Sequence, residues 1–100
     1  MNLHDAPEMY EKIISENAEG TEQIKLTINT FREVEYLHLR KYYLDFDGDF
    51  KPSKAGVAMK LDFNNSRALF EGLVEILSLA EAKDILESHF KDILDEIYLP

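Results

Sequence analysis

Val34-Glu35-Tyr36-Leu37-His38-Leu39-Arg40-Lys41-Tyr42-Tyr43-Leu44 is the stretch from which the fold can be read. Leu37 and Leu39 point one way, and Tyr36, His38, Arg40 and Tyr42 point the other. That is the period-2 signature of a half-buried strand. Upstream, over residues 22–30, Ile24, Leu26 and Ile28 alternate with Lys25, Thr27 and Asn29 in the same way. Downstream, Asp45-Phe46-Asp47-Gly48-Asp49 has turn chemistry, with Gly48 able to supply a positive φ. The pattern then predicts a short strand from Phe50 to Pro52, a bend from Ser53 to Gly56, and a last strand. In that last strand Val57, Met59 and Leu61 alternate with Ala58 and Lys60. Consecutive strands with short links imply an antiparallel meander.

The flanks read as helix. Over residues 7–17, Pro7 suits a first helical turn, Met9, Tyr10, Ile13 and Ile14 fall at helical spacing, and Asn17 to Gly20 supplies the stop. Beyond residue 65 the period is helical again, with Leu69, Phe70, Leu73, Val74, Ile76 and Leu77 in one stripe and Asn65 or Ser66 as the N-cap. Ser78-Leu79-Ala80-Glu81 matches a capping box, which starts a second helix carrying Ile85, Leu86, Phe90, Ile93, Leu94 and Ile97. One long helix bent near Ser78 is the alternative. The fold class is α+β: a four-stranded antiparallel meander followed by one or two helices, plus a short N-terminal helix. The corresponding divisions are a helical extension over residues 1–20, a central domain over 21–78 and an acidic helical extension over 79–100.

Composition bounds what this chain can do. One hundred residues make one ordinary domain, and 45% hydrophobic residues suffice for a folded core. Such a small core gains from oligomerisation. With no cysteine, disulfides, thiolate catalysis and cysteine-based zinc sites are excluded. No run approaches the ~20 apolar residues that span a membrane, and the first residues lack a secretory pattern. A cytoplasmic setting is therefore expected, nucleoid-associated in a bacterium or nuclear in a eukaryote. The net charge is −9, yet 6 of the 11 basic residues lie within residues 31–60. A local basic face can bind an anion whatever the total charge.

The alternation sorts the sheet into two unlike faces. Ile24, Leu26, Ile28, Leu37, Leu39, Val57, Met59 and Leu61 collect on one, which is expected to be covered. Lys25, Thr27, Asn29, Tyr36, His38, Arg40, Tyr42 and Lys60 collect on the other. Cations track phosphates and aromatic rings accept stacked bases, so the second face suits single-stranded nucleic acid. A solvated sheet face has the same composition. Within this region Phe31-Arg32, Leu39-Arg40-Lys41-Tyr42-Tyr43, Asp45, Asp47-Gly48-Asp49, Lys51-Pro52 and Gly56 follow one another without a gap. This pattern resembles the single-stranded DNA-binding domain of the transcriptional coactivator positive-cofactor-four family, over residues 23–77.

The resemblance implies a strongly curved four-stranded sheet, a following helix, and a two-fold dimer whose sheets form channels for single strands. By position, it assigns base stacking to Phe31 and Tyr43 and backbone contact to Arg40 and Arg32. Lys51 and Lys54 fall where the family has basic residues near the strand. Transcription machinery is a further implied partner. Regular alternation, however, puts Arg40 and Tyr43 on opposite faces. Both reach one ligand only if the strand bends or bulges, or if the ligand spans the dimer.

Some positions depart from the family pattern. Tyr43 stands where Trp is usual, and Val34 and Ala55 stand where the family has lysines. Glu33 and Glu35 bring carboxylates toward the same region. These departures and the acidic helix support an alternative: a protein-interaction module on the same fold with weakened nucleic-acid binding. His38 alone makes a poor metal or catalytic signal. Asp45, Asp47 and Asp49 miss the twelve-residue calcium pattern. No phosphate-binding Gly-rich loop, His-Glu-x-x-His or nucleophile elbow is present, so neither an enzyme nor a cofactor is expected.

Overall fold

β2 (Glu22–Phe31) and β3 (Val34–Leu44) form the centre of the sheet, paired in unbroken register from Glu22 opposite Tyr43 to Phe31 opposite Val34. This computed structural model describes residues 10–98. β1 (Tyr10–Glu16) pairs with β2 and β4 (Phe50–Lys60) with β3. All pairs are antiparallel, in the order β1-β2-β3-β4, which is the expected meander. Two helices follow, α1 (Phe63–Leu77) and α2 (Lys83–Tyr98). The chain divides into two compact units, with the break between Asp62 and Phe63.

Two predicted elements are corrected. Tyr10–Glu16 is a strand and not part of a helix; Pro7 and Met9 lie outside the described residues. The cause of the misreading is a register shift between Ile13 and Ser15. The extra residue there, Ile14, breaks the two-residue alternation and leaves Tyr10, Ile13 and Ile14 at a spacing that imitates a helix. Asn17, read as a helix stop, instead organises the β1–β2 turn. Its Oδ1 accepts from the backbone N–H groups of Thr21 and Glu22 at 2.9 and 3.0 Å. The second correction merges the two short strands after Gly48 into one, β4. The bend expected at Ser53 to Gly56 is a bulge within it, because Arg40 pairs with Gly56 while Tyr42 pairs with Pro52.

The turns follow from local chemistry. Arg32 and Glu33 link β2 to β3 with φ of 51° and 66°, the type I′ arrangement whose twist matches the strands. Gly48 has φ 85° in the β3–β4 turn, as the sequence suggests. Asp45 Oδ1 accepts from the N–H groups of Asp47 and Asp49 at 2.9 and 3.0 Å, so this carboxylate serves the turn.

Burial falls on the face that carries polar residues. Gln23, Lys25 and Thr27 are buried, and of their apolar neighbours on β2 only Ile28 is. Lys25 Nζ lies 2.7 Å from Glu11 Oε1 of β1, 4.7 Å from the Tyr42 ring centroid on β3 and 5.8 Å from that of Phe50 on β4. A flat sheet would hold the β1 and β4 backbones ~14 Å apart. Side chains from all four strands converge on one ammonium because the sheet curls toward this face. On the opposite face Ile24, Leu39 and Val57 are exposed while Ile28 is buried.

In the helical unit α1 begins at Phe63, ahead of the predicted caps Asn65 and Ser66. Ser78 closes α1 instead of opening α2, with its Oγ donating to the Glu75 carbonyl at 2.7 Å. Phe70 and Phe90 join the two helices at 6.0 Å between ring centroids. Ion pairs Arg67–Glu71, Lys83–Glu87 and Lys91–Asp95 lie along the exposed faces at i, i+4 spacing.

Candidate nucleic-acid interface

The bulge in β4 builds a groove. Between Pro52 and Gly56 the strand carries two residues more than β3 does between Tyr42 and Arg40. The surplus backbone arches outward, and Arg40 Nη1 donates to the Ser53 carbonyl within it at 3.0 Å. Ser53 Oγ donates in turn to the Lys41 carbonyl at 2.7 Å, tying the arch to β3. Beside the arch lies an open groove of ≈ 820 Å³ lined by Asn29, His38, Arg40, Tyr42, Tyr43, Pro52, Ser53 and Lys54.

Gly56 is what lets the strands close on one another beside this arch. A Cβ at that position would sit 2.6 Å from the Leu39 carbonyl oxygen and 2.8 Å from Arg40 Cα. Both are backbone atoms that cannot turn aside, so only glycine fits.

The groove brings together Arg40, Tyr43 and Lys54 of the predicted site residues. Arg40 and Tyr43 both line this groove although β3 keeps its strict alternation there, in unbroken register with β2; the surplus residues belong to β4. Tyr43 is 46% exposed, leaving ring surface for stacking. The other three predicted residues lie outside the groove lining. Phe31 is at the hairpin tip, 60% exposed, with the Arg32 guanidinium 5.1 Å from its ring centroid. By alternation Phe31 follows Asn29 on the groove face, ~7 Å farther along β2. Lys51 pairs with Tyr43 across the strands, and its ammonium is 3.9 Å from Asp45 Oδ2.

Lys25 belongs to the basic face in sequence but not in charge. It is 9% exposed and ion-paired with Glu11. That partner could not be foreseen while residues 7–17 read as a helix. His38 and Asn29 line the groove although their residue types gave no functional signal; only their alternation with Arg40 placed them there. Burial and the Arg40 guanidinium hold the His38 imidazole below its ordinary pKa of 6.5.

A sequence model of the family described as Transcriptional Coactivator p15 (PC4) matches residues 18–65. Over residues 18–65 this chain is similar to the PC4 family. The match takes in β2, β3, β4 and the whole groove. A bacteriophage T5 homolog of the eukaryotic transcription coactivator PC4, implicated in recombination-dependent DNA replication, is 24% identical and superposes with a TM-score of 0.71. That alignment covers 87% of this chain and 97% of the phage protein. A PC4 homolog from Burkholderia pseudomallei is 25% identical with a TM-score of 0.54, over 72% of this chain and 93% of that one. Its tetragonal crystal form gives 24% and 0.52. No curated protein sequence matches significantly. The PC4-like fold thus extends beyond the matched segment, into the two helices that follow the sheet.

Proposed function

We propose that this chain binds single-stranded DNA or RNA as a non-enzymatic protein of the transcriptional-coactivator type, largely without sequence preference. The observation that carries the reading is the groove in which Arg40, Tyr43 and Lys54 meet. Arg40, oriented by the Ser53 carbonyl, presents its remaining N–H donors to a phosphate. Tyr43 offers a ring to a base, which tolerates any sequence because every base has a π-face. Lys54 adds a mobile cation on the arch. Phe31 and Arg32 extend the track along the same face, and Lys51 contributes long-range attraction from the turn. The T5 relative's link to DNA replication agrees with this reading.

The protein works as a homodimer in this reading. Support comes from apolar side chains exposed on each unit: Ile24, Leu39 and Val57 on the sheet, and Leu73, Ile76, Ile93 and Ile97 on the helices. A partner in the transcription machinery would act through surfaces outside the groove.

Fluorescence anisotropy with a labelled ~20-nucleotide single strand, at two salt concentrations and beside a duplex, tests the proposal. Salt-sensitive preference for the single strand is expected. No binding at low salt would instead favour the protein-interaction module, to which the acidic residues of α2 and the family lysines replaced by Val34 and Ala55 already point.

A further inference from the structure

His38 lies two residues before Arg40 on β3, so both side chains project from the same face, ~7 Å apart along the strand. It lines the groove, partly buried, between Asn29 and Arg40. Among the described residues its imidazole has no hydrogen-bond or ion-pair partner. The charged groups on its face of the sheet come from all four strands. Arg40 shares its strand with Tyr36 and Tyr42, Lys25 comes from β2, and Lys60 from β4. Of the acids on this face of β1, Glu11 is taken by Lys25 at 2.7 Å and Glu16 accepts from Gln23 Nε2 at 3.2 Å. Across the strand pair His38 faces Thr27, whose Oγ1 is buried without a hydrogen-bond partner among the described residues. Directly opposed side chains on neighbouring strands are close enough to bond.

In the empty groove a further positive charge is unfavourable, and the pKa of His38, held down by burial and by Arg40, says the same. A phosphate seated against Arg40 reverses the sign of the local field. An imidazolium then has two N–H donors to place, one toward the phosphate and one toward the Thr27 hydroxyl.

We propose that His38 is a further contact of this groove with the nucleic-acid strand, clamping a phosphate beside Arg40 as an imidazolium, so that binding takes up one proton from solvent at this residue. The inference rests on the nucleic-acid reading of the groove and adds a proton to it. Its consequence follows from linkage. Between the His38 pKa of the free protein and the higher one of the complex, affinity falls up to tenfold for each pH unit gained. Outside that window the response is flat.

The test uses the full chain and a labelled 20-residue thymidine single strand, whose bases do not titrate between pH 5.5 and 8, at fixed ionic strength. Kd should tighten as pH falls, by up to about tenfold per unit. His38→Gln should flatten that response, and His38→Lys should bind at pH 7.5 as the parent does at pH 5.5. A flat parent profile, or a slope that His38→Gln retains, overturns the proton-linked contact while leaving strand binding in place. Absence of binding at every pH overturns both. Independently of any variant, proton NMR should show one of the three histidine resonances titrating at higher pH with the strand than without it. No such shift overturns the inference.

Discussion

Arg40 Nη1 donates to the carbonyl of Ser53 at 3.0 Å, across the one irregularity in the pairing of β3 with β4. A cationic side chain and a backbone bulge thus fix each other, and the fixed pair forms the wall of the groove. Arg40→Ala should weaken single-strand affinity about tenfold and lower the salt slope by about one phosphate. Tyr43→Ala should cost ~1–3 kcal/mol of binding with the salt slope unchanged, because stacking carries no charge. Arg40→Lys should not restore the parent affinity, since an ammonium cannot hold Ser53 and a phosphate in one planar fork. Anisotropy titrations over a salt series separate the two effects.

Gly56→Ala should destabilise the fold by ~1–3 kcal/mol, because the new methyl group meets the Leu39 carbonyl and the Arg40 backbone. Thermal denaturation should show a drop of roughly 4–8 °C for each kcal/mol in a chain of this size. An unchanged midpoint would mean that the strands do not approach as closely at Gly56 as described.

The central hairpin was legible in the sequence because nothing interrupts it. From Glu22 to Leu44 the alternation of Ile24, Leu26, Ile28, Leu37 and Leu39 survives with no bulge, and the register follows. The errors lie where extra residues enter a ladder. Ile14 disguises β1 as a helix, and the surplus between Pro52 and Gly56 splits β4 in two. One-dimensional periodicity cannot distinguish a bulge from a change of element. The same surplus carries the Ser53 carbonyl to Arg40, so the site residues were nameable from the family pattern but the groove wall was not. Lys25 shows the complementary failure: a basic residue on the correct face whose charge is neutralised by a strand that the pattern concealed.

The Lys25–Glu11 pair should behave as a structural contact. Lys25 is buried while Glu11 is more than half exposed, so solvent screening keeps the pair well below the worth of a fully buried one. Glu11→Gln should destabilise by about 1–2 kcal/mol, since it leaves a buried ammonium with only the Tyr42 and Phe50 rings for company. Adding Lys25→Met should recover most of that loss, because the apolar stem fills the same space with no charge to solvate. Urea denaturation of the two single variants and the double variant closes the cycle. Equal, additive losses would count against a coupled pair.

Glu33→Gly should stabilise the chain by about 1 kcal/mol. Glu33 holds φ 66° at the second position of a type I′ turn, where glycine is unstrained. Part of the gain is offset by the greater freedom of glycine in the unfolded chain. The substitution also removes a carboxylate beside Phe31 and Arg32, so strand affinity should rise and not fall. A lower denaturation midpoint would show that Glu33 makes a contact outweighing its backbone strain.

Acid should act on His38 in opposite directions in the free protein and in the complex. In the free fold the imidazole pKa is depressed by burial and by Arg40, so near and below 6.5 the unfolded chain binds more protons than the native one. Native stability from this residue is therefore complete above pH 6.5 and declines as pH falls through 6.5 toward the lower native value. Strand binding in the same window strengthens. Denaturant midpoints measured at pH 7.5 and 5.5, with and without a saturating thymidine strand, should show the parent losing stability on acidification when free, with the strand adding more stabilisation at the lower pH. His38→Gln should reduce both responses together. If it altered only the stability of the free protein, His38 would be a buried histidine with no part in the complex.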